Sequence, residues 1–218
     1  MNRKEFISEA GEPVGPSVLP VQSGRPARGE YAEYAHADIG CVDGDDACEA
    51  LERQAAATRA LFEAFGDAGG GLSYGEGKWT VKEVLGHLAD DERIFAYRAL
   101  CLARGDEREL PGFDETLYVS GARFSDLPMR ALLDDYLAVR AASLTLFRGL
   151  DPEAWLRRGV VNGYAATPRG LAFHIAGHEL RHHRVVRERY VPVAEREPWW
   201  AGTSPFAAAD PGGAPGAG

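Results

Sequence analysis

Four of the six histidines in the chain fall between Thr167 and Tyr190, in the run TPRGLAFHIAGHELRHHRVVRERY. They are His174, His178, His182 and His183, and the first three repeat at i, i+4 and i+8. On an α-helix this spacing stacks side chains along one face. Imidazole is the commonest protein ligand for a metal ion, and two histidines one turn apart suit a single ion. His174 and His182 lie roughly 12 Å apart at 1.5 Å per residue, too far to share an ion bound at about 2.0–2.1 Å. The pair is therefore 174/178 or 178/182, with His178 common to both. One helix supplies two ligands comfortably, so a third must come from elsewhere. His87, near the apolar side of another long helical segment, is the best candidate. Three histidines with an open position are the ligand set of a catalytic site rather than a structural one.

The elements that must position these residues follow from apolar periodicity and breakers. Residues 1–28 mix Gly, Pro, Ser and charge and read as an irregular extension. A first helix is expected from about Asp45 to Phe65, stopping near Gly66 where a Gly-rich loop begins. A second opens at a capping box of Thr80 with Glu83, with Trp79 before it as a hydrophobic staple against Val84, and runs to Gly105. It carries His87 and, one turn later, Asp91. Residues 106–125 read as a long connection with one short helical turn. A third helix is expected from Asp126 and Leu127 to about Leu150. Residues 151–166 read as a turn-rich connection whose sharpest signal is Asn162-Gly163. Thr167 as cap and Pro168 at the first position open the histidine helix. Residues 193–218 form a Pro/Gly/Ala-rich tail, its last ten or so residues expected to be disordered. No segment has the period-2 alternation of a strand. The expectation is an all-α four-helix bundle over residues 29–192, with a long crossover connection.

Composition bounds the function. The 218 residues carry a net charge of −9, which argues against nucleic acid or an anionic membrane as partner. Three cysteines, Cys41, Cys48 and Cys101, form no CxxC pair, so neither a disulfide framework nor a zinc ribbon is implied. No signal peptide or membrane-spanning run is evident, and a cytoplasmic location is expected.

The segments GKWTVKEVLGHLADDERIFAYRA, GFDETLYVSGARF and LAFHIAGHELRHHRVVRERY together resemble the DinB/YfiT-like superfamily of metal-binding four-helix bundles. The likeness spans about Glu30 to Tyr190. It implies one histidine from the second helix and two from an HxxxH on the last, here His87, His178 and His182. It also implies a divalent ion, with zinc first and nickel or iron next, and a homodimer. Thiol-dependent transferases and isomerases occur in the superfamily, so a low-molecular-weight thiol is an implied cosubstrate and a small electrophile the implied substrate. The contrasting class is a non-enzymatic metal-binding stress-response protein.

His178-Glu179-Leu180-Arg181-His182 also satisfies HExxH, in which Glu179 would be the general base of a metal-dependent hydrolase. The extended metzincin form needs Gly at 185 and His at 188, where this chain has Val185 and Glu188. Glu179 and Asp91 are thus the candidate catalytic carboxylates. Asp91 can orient the His87 imidazole or approach the metal, or belong to a solvated acidic patch with Asp90 and Glu92. His174 is expected to pack beside the site, and His183 and His36 to lie at the surface. Arg181 and Arg184 are expected to pair with surface carboxylates, and Trp79, Trp155 and Tyr190 to be core or cap residues.

Overall fold

The computed structural model describes residues 23–199, and the remainder of both terminal segments lies outside the described residues. Four long helices build the domain: α2 (Ala47–Gly70), α3 (Val81–Ala103), α5 (Met129–Arg148) and α7 (Pro168–Val185), with α1 (His36–Gly40), α4 (Glu115–Gly121) and α6 (Pro152–Leu156) as short connecting helices. α2 and α3 each pack against both α5 and α7. A π-helical turn, Val186–Tyr190, carries α7 on into α8 (Val191–Ala194).

Local chemistry sets the helix ends. The Asp46 side chain caps α2 by accepting from the N–H groups of Cys48 and Glu49. Gly66 breaks the same helix with φ +54° and ψ −162°, a conformation that only glycine adopts freely. Thr80 and Glu83 form the reciprocal capping box at the start of α3. Thr167 caps α7, with Pro168 in the first turn. α5 begins at Met129, not at Asp126, which sits in a 3₁₀ turn. The Met129 N–H is instead satisfied by Asp67 Oδ1 at 2.7 Å, from the last turn of α2.

One element escapes the all-helical expectation. Residues 159–166 form a hairpin of β1 (Gly159–Val161) and β2 (Tyr164–Ala166), with Val161 opposite Tyr164. Its turn residues, Asn162 and Gly163, have φ of 51° and 78°, as a two-residue type I′ turn requires. Each strand is three residues long, too short for alternation to register in the sequence. Leu110 pairs with Val161, tying the crossover before α4 to the hairpin.

The core divides into two apolar halves. One gathers Tyr31, Ile39, Leu51, Phe95, Phe147, Trp155 and Phe173, and the other Phe62, Phe65, Leu85, Leu132, Tyr136, Val186 and Tyr190. On every long helix the residues between these groups are polar and buried: Thr58 on α2, Asp91 and Glu92 on α3, Arg140 on α5, His178 and Glu179 on α7. A polar layer thus crosses the bundle at mid-height.

Residues 23–42 pack directly on the domain. Ser23 Oγ accepts from Ala47 N, and Arg25 donates to the carbonyls of Ile39, Val42 and Gly44. Two glycines of α7, seven residues apart on one face, admit this segment. A Cβ at Gly170 would lie 2.0 Å from Glu30 O, and one at Gly177 would lie 2.5 Å from the Asp38 carbonyl. Both neighbours are backbone atoms and cannot swing away. Gly177→Ala is therefore expected to cost about 1–3 kcal/mol, the usual cost of overpacking. Thermal unfolding checks this, and an unchanged melting temperature would show that the segment yields.

Candidate metal centre

α3 and α7 bring His87, His178 and His182 together. His178 Nε2 lies 3.2 Å from His87 Nε2 and 3.1 Å from His182 Nε2, and the three atoms all lie within 4.8 Å of one another. Nitrogens bound to one ion at about 2.0–2.1 Å must be spaced close to 3 Å, so the triad fits a divalent metal. His178 Nδ1 faces Asp91 Oδ2 at 3.3 Å. With Asp91 ionised, a proton on Nδ1 donated to that carboxylate leaves the Nε2 lone pair directed at its two neighbours. Asp91 therefore pairs with His178 rather than His87, although both residues lie on or next to the face the sequence pointed to. The ring of Trp79 covers the other side, 4.8 Å from His87 and stacked 6.4 Å from His182.

The electrostatics favour neutral imidazoles. Burial, assisted by the Arg181 charge, lowers His87 to about 4. Burial first, and then the neighbouring histidines, hold His178 well below its ordinary value, and the same causes lower His182. Burial pushes the Asp91 carboxyl up to about 8.

Four buried imidazoles (His87, His174, His178 and His183) and the half-buried His182 have depressed values. A depressed folded value means that the unfolded chain binds protons first. The stability these groups contribute is present above about 6.5 and is lost as pH falls through the folded values, about 4 for His87 and about 3 for His174. Asp91, with a raised value, acts with the opposite sign and is a single group. Metal-free protein is thus expected to melt progressively lower from pH 6.5 to pH 4. A flat profile in thermal scans over that range would contradict the burial of neutral imidazoles.

The other sequence candidates are distributed as follows. His174 stacks on Phe95 at 4.2 Å and meets Tyr34 edge-on, a packing position beside the triad. His183 is buried, contrary to expectation, with Nε2 2.6 Å from Thr58 Oγ1. His36 is exposed and bonded to Tyr31 and Arg28. Arg181 pairs with Asp38 at 3.1 Å. Trp155 is core, and Tyr190 donates its hydroxyl hydrogen to Trp79 O. Asp91 and Glu92 are not a solvated patch, since both are buried.

Glu179 is engaged elsewhere. Its carboxylate accepts from Arg140, from the Thr58 hydroxyl and from the Tyr136 hydroxyl, the last at 2.6 Å. Burial pushes Glu179 up, yet Arg140 and these hydrogen bonds outweigh it and hold the group below its ordinary value. Besides Asp91, the carboxylate that stands at the triad is Glu115 on α4, with Oε2 3.9 Å from His87 Nε2 and the side chain 56% exposed. Sequence reasoning missed it, because α4 lies within the crossover and nothing in its spacing points at His87. The triad borders two clefts. One, of about 360 Å³, is lined by Asp91, Arg98, Phe113, Glu115, His178 and Arg181 among others. The second, of about 300 Å³, runs past Trp79 and His182.

The helix order and histidine placement lead to one family. The sequence model of the DinB superfamily matches residues 50–186, more than half of the chain. The chain belongs to the DinB superfamily. No curated protein matches its sequence. Among solved structures, YfiT from Bacillus subtilis superposes with a TM-score of 0.62, covering 78% of this chain and 93% of its own, at 18% identity. YfiT has been described as a probable metal-dependent hydrolase with an unusual four-helix bundle topology. The four-helix bundle of this DinB-superfamily chain shares that topology. No helix among the described residues is long and apolar enough to cross a membrane.

Proposed function

We propose that this DinB-superfamily protein is a metal-dependent enzyme that activates a small nucleophile at a centre held by His87, His178 and His182. The observation that supports it is the convergence of three neutral Nε2 atoms on the wall of an open cleft. These histidines would hold a divalent ion, zinc first and nickel or iron next, which would supply Lewis acidity and ease deprotonation of a thiol or water. The chain's own residues do the rest. Asp91 fixes the His178 tautomer through Nδ1. Trp79 excludes solvent behind the rings. Glu115 stands within reach of the nucleophile and accepts its proton.

Transfer of a low-molecular-weight thiol to a small electrophile is the first reading, as in the thiol-dependent members of the superfamily. Hydrolysis is the second, favoured by the description of YfiT and served by Glu115 in place of Glu179. A non-enzymatic metal-binding role in stress is the contrasting class, favoured if a fourth protein ligand closes the site. Assays of the metal-loaded protein with bacillithiol, mycothiol and glutathione against monochlorobimane, and with activated esters, separate these readings. Glu115→Gln is expected to retain metal and to lower the observed rate by about 10²-fold, as loss of a general base does. Absence of any metal-dependent turnover would leave the storage reading. A homodimer in the cytoplasm completes the proposal.

A further inference from the structure

Two arginines among the described residues are buried, and they differ in their partners. Arg140 is paired with Glu92 and Glu179. Arg98 on α3 is 5% exposed, yet no carboxylate lies within 4.0 Å of its guanidinium among the described residues. It donates one hydrogen bond, from Nη2 to Pro111 O at 2.7 Å, and lies over the rings of Phe95 and Phe113 at 4.8 and 5.6 Å. The carboxylates around it are committed: Asp91 to His178, Asp38 to Arg181, while Glu115 stands by His87. Asp91 is the carboxylate whose charge acts most on Arg98, but it contacts His178 and burial holds it up at about 8, so Arg98 has no carboxylate in ion-pair contact. A buried guanidinium so placed is costly and is retained where something else supplies that contact. Arg98 lines the same 360 Å³ cleft as His178, Glu115 and Arg181, on the small side of the range of small-molecule sites.

We propose that Arg98 binds a carboxylate group of the small molecule that reacts at the histidine centre. The planar guanidinium, packed against the rings of Phe95 and Phe113, offers its remaining N–H donors to a carboxylate in the bidentate geometry that fits arginine better than lysine. Arg181, at the cleft rim and already paired with Asp38, adds a second positive charge without being the anchor. The proposal rests on the reading of the cleft as a substrate site and assigns the chemical class of what enters it: a small carboxylic acid, not a neutral or cationic molecule.

The test measures binding of acetate, succinate and malate, with succinamide as the neutral control, by calorimetry. Metal-loaded and metal-free wild type, Arg98→Gln, Arg98→Lys and Arg181→Gln are compared. At least one carboxylate is expected to bind wild type at least about tenfold more tightly than succinamide. Arg98→Gln is expected to remove about tenfold or more, the loss of one charge-assisted hydrogen bond, and Arg98→Lys to restore part of it. Carboxylate binding that is absent, no tighter than succinamide, or unchanged in Arg98→Gln overturns the proposal. Should Arg98→Gln fail to fold, the wild-type comparison of succinate with succinamide and the Arg98→Lys variant decide it. Arg98-dependent binding to metal-free protein, with no metal-dependent turnover, would leave the carboxylate site standing and remove only the enzymatic reading.

Discussion

Replacing His178 with alanine is expected to abolish specific metal binding, the largest single effect on the site. His178 is the pivot: its Nε2 lies within 3.2 Å of both other ring nitrogens, and its Nδ1 is the one oriented by Asp91. Without it, His87 and His182 remain on separate helices and supply only two nitrogens, without the one that Asp91 orients. Metal analysis of untagged protein checks the outcome, with His87→Ala and His182→Ala expected to lose metal as well. His174→Ala should retain it, because its ring is stacked on Phe95. Retention of metal by all three ligand variants would disprove the triad, and loss in His174→Ala alone would select the other HxxxH pair. The ion should also stabilise the fold. At 100-fold excess over Kd a ligand adds about 2.7 kcal/mol. At roughly 2–4 °C per kcal/mol for a domain of this size, chelation should lower the wild-type melting temperature by about 5–10 °C. His178→Ala should melt at the same temperature with and without chelator.

Much of this arrangement was legible in the sequence because it is written in helix spacing and caps. The Thr80–Glu83 box and the Thr167–Pro168 start each depend on a few adjacent residues, and each stands where the sequence put it, whereas Gly66 kinks α2 and the helix runs on to Gly70. The boundaries of α7 and α3 then bring the HxxxH pair to His87. What failed was the inference from helix face to exposure. His183 follows His182 by about 100°, a rotation that turns a side chain toward solvent on a helix buried along one stripe. α7 is not such a helix: every residue from Gly170 to Glu179 is buried. It is surrounded by α1, α2, α3 and α6, so its far face holds a second polar cluster, not water. Glu115 and Arg98 were missed for another reason. Their roles depend on where the crossover lies over α3, which no periodicity encodes.

That second polar cluster carries the other large prediction. Arg140 donates to both oxygens of Glu92 at 2.8–3.0 Å, to Glu179 and to Leu51 O at 2.6 Å, joining α2, α3, α5 and α7 at the level between the two apolar halves. Arg140→Ala would strand two buried carboxylates and is expected to cost about 3–5 kcal/mol, a fall in melting temperature on the order of 10 °C. Glu179→Gln removes one charge but keeps a hydrogen-bond acceptor for Tyr136, so a smaller loss is expected, about 1–3 kcal/mol. The two readings of HExxH separate here. In a hydrolase that used Glu179 as general base, Glu179→Gln would leave the melting temperature near wild type and remove turnover. In this bundle it should lower stability and leave metal content intact, while Glu115→Gln should leave both stability and metal content near wild type and lower turnover. Replacing Arg140, Glu92 and Glu179 together with apolar residues of similar volume should recover much of the stability, since a buried ion cluster gains little over good packing. Recovery of stability without a change in metal content would place this cluster in the frame that aims α7, and the chemistry on its opposite face.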